Sequence, residues 1–254
     1  MLIKKIHLVF GCLLLLSACE NLERDNLLDP KNPDSERQRV VFVEAFVNDG
    51  ARYSSFALGA LDSLAADFPS DQVVIVEHHL QSTNYADVYA LQESNDRYSS
   101  LVGSNRGIPD VFFNGTMSRA QGASSVHTAL VRYRNAINAE LSKVAHFTIE
   151  ARKNISSAGI DLEVTLARLG NERFSEFAVL AIVWENVGTA GHRHVVRKVF
   201  PPEDFSSIAA GEIKSLRFTG SLPATSNAAR LQAAVIIERN TSLGREILQA
   251  ALAE

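Results

Sequence analysis

The chain has 254 residues, 46% of them hydrophobic, which is enough for two modest domains with packed cores. The formal net charge is −4 and no basic patch stands out, so nucleic acid is excluded as an expected partner. There are only two cysteines, Cys12 and Cys19, both near the N-terminus.

Lys4 and Lys5 precede the apolar stretch Ile6–Leu16, which is too short to span a bilayer. It ends in Leu16-Ser17-Ala18-Cys19. This resembles the lipobox of bacterial lipoproteins: an aliphatic residue, two small ones, then Cys. The resemblance implies a signal peptide over residues 1–18 and an acylated Cys19 that holds the rest on a membrane. Two or more acyl chains give stable attachment where one gives little. Glu20 is not the Asp that commonly retains lipoproteins in the inner membrane, which favours the outer one. Cys12 would leave with the signal and Cys19 would carry lipid, so the mature chain is expected to hold no thiol and no disulfide.

Residues 19–38 are polar, broken by Pro30 and Pro33, and read as an extended tether. Arg39–Val47 is an apolar, β-branched run that predicts a buried strand. Ser54–Phe68 has helical spacing, with Phe56, Ala57, Ala60, Leu61, Leu64, Ala65 and Phe68 on one side, Ser54 or Ser55 as N-cap, and Pro69 as stop. Gln72–His78 predicts a second strand, and Tyr85–Val102 a mostly helical segment. Ile108–Phe113 predicts a third strand that turns at Asn114-Gly115. Ser124–Val144 predicts a long helix with Val126, Leu130, Tyr133, Ile137 and Leu141 on one stripe. From His146 onward six or seven alternating runs predict a small β-sandwich, with the boundary near Ala145. The domains are thus expected at 39–145 and 146–254.

The order strand, helix, strand, helix, strand, hairpin, helix over residues 39–144 resembles a thioredoxin fold. Two local signals carry it. Phe46 is followed by a turn and an apolar helix, where thioredoxin-like proteins place C-x-x-C. Gly107-Ile108-Pro109-Asp110-Val111-Phe112-Phe113-Asn114-Gly115 resembles the G-[VI]-P-T-x-x-x-x-[ND]-G stretch with its cis-proline. The full chain resembles the bacterial outer membrane protein twenty-eight family of lipoproteins: Val41–Phe46 fits V-x-x-E-x-F, and His192–Arg197 fits H-x-H-V-x-R. The resemblance implies a thioredoxin-like domain followed by an immunoglobulin-like β-sandwich at the outer membrane.

Counted from Phe46, the two redox positions fall on Ala51 and Ser54. Thiol–disulfide exchange needs a thiolate attacking a sulfur, and neither residue supplies one. The expectation is a non-enzyme without cofactor, binding a protein or peptide across Ala51, Tyr53, Ser54, Ile108 and Pro109. An alternative is a surface-exposed protein acting through its β-domain. His78-His79 and His192/His194 leave a metal-binding reading as a further alternative, with His192 and His194 on one strand face. No His-Glu-x-x-His or cysteine cluster backs it, so no metal ligand is assigned. The simpler reading has these two histidines hydrogen-bonding across the sandwich. No G-x-S-x-G elbow or phosphate-binding glycine pattern is present.

Overall fold

Val41–Val47 shows no alternation because both of its faces are covered. In the computed structural model, which describes Asp29, Asn32, residues 35–156 and residues 159–254, this run is strand β2, buried throughout. Cys19 and the segment read as a signal peptide, residues 1–18, lie outside the described residues. A short β1 (Arg37–Gln38) precedes it, at the end of the stretch read as a tether. Next come α1 (Ser54–Asp67), β3 (Val73–His79), α2 (Gln92–Val102), β4 (Asp110–Phe113), β5 (Arg119–Gln121) and α3 (Val126–Leu141). β3 runs parallel to β2, β4 antiparallel along its other edge, and β5 antiparallel to β4.

Side chains alternate across a strand, so β2 serves two cores. Val41, Val43, Ala45 and Val47 pack with Leu61 and Leu64 of α1 and Tyr133 and Ile137 of α3. Phe46 packs on the opposite face with Tyr98 of α2 and Phe112.

Two local expectations change. The N-cap of α1 is Tyr53, without a side-chain hydrogen bond. Ser54 is the first helical residue, and its hydroxyl accepts the Asn48 N–H at 3.2 Å. The segment from Tyr85 is not helical until Gln92. Asp87 holds it as a loop by accepting the N–H of Asp49 and of Tyr89, a local bond that competes with helix.

The second half supplies β6 (Val144–Ala145), β7 (Phe147–Ser156), β8 (Gly159–Arg168), β9 (Phe174–Glu185), β10 (Val195–Val199), β11 (Glu203–Ile208), β12 (Ile213–Gly220), β13 (Leu231–Thr241) and β14 (Gly244–Leu252). The described residues are thus mostly β, in three sheets with few helices. β6 pairs with β1, and β12-β8-β7 form a three-stranded sheet. The third sheet has nine strands in the order β14-β13-β9-β10-β3-β2-β4-β5, with β11 also on β9. It therefore does not stop at residue 145. β10 meets β3 at Val195 and Glu77, where the Glu77 N–H donates to the His194 carbonyl at 2.8 Å.

One face of β9 and β13, with Val179, Val183 and Val235, packs on Leu162, Val164 and Leu166 of β8. The other face, with Leu180, Ile182, Trp184 and Ile236, packs on Phe42, Val74 and Val76 of the first half. This seam explains the unbroken apolar runs in β9 and β13. The Asn114-Gly115 turn docks there too. Thr116 donates its N–H to the Arg245 carbonyl at 2.8 Å. Gly115 has φ +100°, and a Cβ on it would lie 2.2 Å from that same carbonyl oxygen, so only glycine allows the approach. Asn114 also accepts the Phe42 N–H at 2.8 Å, tying the turn to β2.

Candidate functional site

The loop after β2 carries Ala51 and Ser54, the positions that the resemblance gives to redox cysteines. Ala51 is half-buried, and Ser54 is 1% exposed. Tyr53 is 49% exposed, with the Arg52 guanidinium 5.7 Å from its ring centroid and Phe56 at 6.4 Å. The Ile108–Pro109 bond is cis. Pro109 is buried and Ile108 half-buried against Phe46, Tyr98 and Phe112. Tyr53 and Ile108 thus have different packing neighbours, and Tyr53 is the member of the expected surface that reaches furthest into solvent. Behind Pro109, the buried Asp110 accepts the Tyr98 hydroxyl and the Arg119 Nε–H, each at 2.8 Å. Burial first, and then the Asp110 carboxylate, push the Tyr98 hydroxyl up to about 12, the Gly107 contact opposing.

The histidines lie elsewhere than expected. His192 and His194 precede β10 in a loop shaped by Gly188 and Gly191, both at positive φ. They share no strand face and do not bond across the second half. Instead His192 reaches the first half, its Nε2 2.9 Å from both carboxylate oxygens of Asp49. Its ring stacks on His79, centroids 5.6 Å apart, and lies 5.0 Å from that of Tyr89. His79, last in β3, places Nδ1 2.8 Å from Asp87 Oδ2 and 3.6 Å from Asp49 Oδ1. Its Nε2 is buried without a hydrogen-bond partner. Asp49, His79 and His192 each offer a donor atom, all within 4.8 Å of one another. Asp49 and His192 border a shallow cleft of about 420 Å³ between α1 and the His192 loop, where Gly191 donates its N–H to Asp62 at 2.7 Å.

Two more buried groups stand beside this cluster. Both carboxyl oxygens of Glu77 lack a hydrogen bond of normal geometry. Burial pushes Glu77 well above the usual carboxylate range; the His194 amide opposes this, while the charges of Asp62 and Asp49 add to it. Burial lowers His194 to about 4 against the pull of Asp62, leaving a neutral imidazole.

The opposite face of the first half is a charge network. Arg97 of α2 donates Nε–H and Nη2–H to the two oxygens of Glu44 at 2.8 and 3.0 Å. It also meets Glu238 of β13 at 3.1 Å through Nη1, and Arg245 meets the same Glu238 oxygen at 3.0 Å. His78 Nδ1 lies 3.1 Å from Ser94 Oγ, and burial holds that ring neutral against the pull of Glu44. Burial alone would raise Glu44, but the Arg97 guanidinium, with His78 assisting, holds it at about 2.

Reading the sequence named His79 and His192 but missed Asp49, Asp87, Glu44, Arg97 and Glu238. A signal was present for the glutamates. Glu44 interrupts an apolar run and Glu77 and Glu238 close one, and a charge buried there must be paired or neutralised.

No protein-family model matches the chain, and no curated protein matches it. Solved structures do. The chain is similar to HBP35 of Porphyromonas gingivalis at 11% identity and a TM-score of 0.64, over 85% of this chain and 74% of that one. It is similar to a protein of Agrobacterium tumefaciens at 18% identity and a TM-score of 0.53, over 85% of this chain and 95% of that one. A domain of the outer membrane lipoprotein Omp28 from P. gingivalis aligns with 43% of this chain and 88% of its own at 14% identity, with a TM-score of 0.34, too slight an overlap to carry an inference. At these identities the first two similarities concern the fold: a mostly β arrangement of three sheets with few helices. Among the described residues, no helix is long and apolar enough to cross a membrane.

Proposed function

We propose that this chain is a lipid-anchored protein of the bacterial cell envelope, with a thioredoxin-like first half that has lost redox chemistry and serves as a binding module. The second half is a β-sandwich that holds it. The observation that carries the reading is the loop after β2. Ala51 is half-buried and Ser54 is buried at the start of α1, at the two positions the resemblance gives to cysteines. Ser54 turns its hydroxyl to a backbone amide, and neither position supplies a thiolate to attack a disulfide. The strand order β3-β2-β4-β5, with α1 and α3 on one face and α2 on the other, supports the thioredoxin-like reading. The anchor rests on Leu16-Ser17-Ala18-Cys19.

In cells, the wild-type chain should fractionate with membranes and Cys19→Ala should not. A photo-crosslinking residue at Tyr53 should give a discrete adduct that the same residue at Val88, 87% exposed, does not. Membrane retention of Cys19→Ala would remove the anchor, and identical adducts from both positions would remove the Tyr53 surface.

A further inference from the structure

We propose that Asp49, His79 and His192 bind a divalent transition-metal ion, zinc by the chemistry of the donors, and that the ion ties the two halves together. Two imidazoles and a carboxylate suit zinc rather than magnesium or calcium, which prefer all-oxygen sites. Tetrahedral zinc with bonds of about 2.0–2.1 Å sets its donors about 3.3 Å apart. Here His192 Nε2 is 2.9 Å and His79 Nδ1 is 3.6 Å from Asp49 Oδ1, so the donors bracket that spacing.

The ligands are held before any ion arrives. Asp87 accepts the Asp49 N–H at 2.8 Å and lies 2.8 Å from His79 Nδ1, fixing two ligands at once. If His79 binds through Nδ1, Asp87 Oδ2 lies 2.8 Å from that nitrogen. If it binds through the unpartnered Nε2, Asp87 orients the ring, as carboxylates do behind zinc-bound histidines. Either way Asp87 belongs to the site.

The surroundings call for a cation. Asp49, Asp62 and Asp87 gather here, and the nearby Arg193 is half-exposed and 3.5 Å from Asp62. The position matters for the fold as well. Asp49, His79 and Asp87 belong to the first half, whereas His192 comes from the second, beside the point where β10 meets β3.

The test uses the full chain, purified in detergent and stripped with EDTA. Zinc chloride is titrated calorimetrically and cobalt(II) by absorption. The proposal expects one equivalent of zinc, an intense four-coordinate cobalt band, and a thermal midpoint raised by zinc. His192→Ala and the near-isosteric Asp49→Asn should each weaken binding at least about tenfold. A His127→Ala/His146→Ala control, which removes two exposed histidines elsewhere, should bind as wild type does. Substoichiometric zinc, loss of binding in the control, or unchanged affinity in both site variants would overturn the proposal. Should His192→Ala fail to fold, Asp49→Asn and the wild-type cobalt spectrum still decide it.

Discussion

Arg97→Met is expected to lower the unfolding free energy by about 3–5 kcal/mol, because it strands a buried carboxylate. Glu44 is fully buried, and its bidentate partner is the Arg97 guanidinium. Glu238 keeps Arg245, so the larger part of the loss belongs to Glu44. An intact buried ion pair adds little net stability over an apolar replacement, while a broken one is costly. Glu44→Gln/Arg97→Met should therefore recover much of the loss in urea denaturation. A loss below about 1 kcal/mol for Arg97→Met would mean that Glu44 is already neutral or hydrated.

The same pair fixes a pH dependence. Folding depresses Glu44 from its ordinary 4.5 to about 2. A depressed carboxyl stabilises the fold above its unfolded pKa, and that contribution is lost as pH falls through the folded value. The wild type should thus lose stability between pH 4.5 and 2, on the order of 3 kcal/mol from this group. Glu44→Gln should show a correspondingly shallower slope over that window.

Phe42→Ala should cost about 3–5 kcal/mol and should do so for both halves together. Phe42 is fully buried in the seam among Val74, Val76, Leu180, Ile182, Trp184 and Ile236. A cavity there loosens β2 on one side and the β9–β13 face on the other. Trp184 is the single tryptophan and sits in this cluster, so its fluorescence reports the seam while far-UV circular dichroism reports the strands. One cooperative unit predicts coincident transitions that shift equally in the variant. A dichroism transition left in place while the fluorescence moved would mean that the halves unfold separately.

The strands around β2, β3 and β9 were legible because burial on both faces leaves an apolar run without alternation. β14 was not: Glu246-Ile-Leu-Gln-Ala-Ala-Leu252 consists mostly of good helix formers, and it is a strand because β13 and the Asn114–Thr116 turn pair with it. β11, Glu203–Ile208, was missed because an edge strand with exposed polar residues resembles a loop. The seam itself joins residues far apart in sequence, so no local period reveals it. The His192 loop shows the same limit. The spacing of His192 and His194 suggested one strand face, but the glycines at 188 and 191 turn the chain, and its partner Asp49 lies 143 residues away.

The central claim is that the loop after β2 keeps the form of a dithiol site while lacking the dithiol. The direct test is Ala51→Cys/Ser54→Cys in a chain that also carries Cys12→Ser and Cys19→Ser. Thiol titration should find both new cysteines free after reduction and both closed as an intramolecular disulfide in oxidising glutathione buffer, and the variant should reduce insulin where the wild type does not. Two thiols that stay free under oxidation would contradict the account, because the loop would then not hold its two positions as a C-x-x-C turn does.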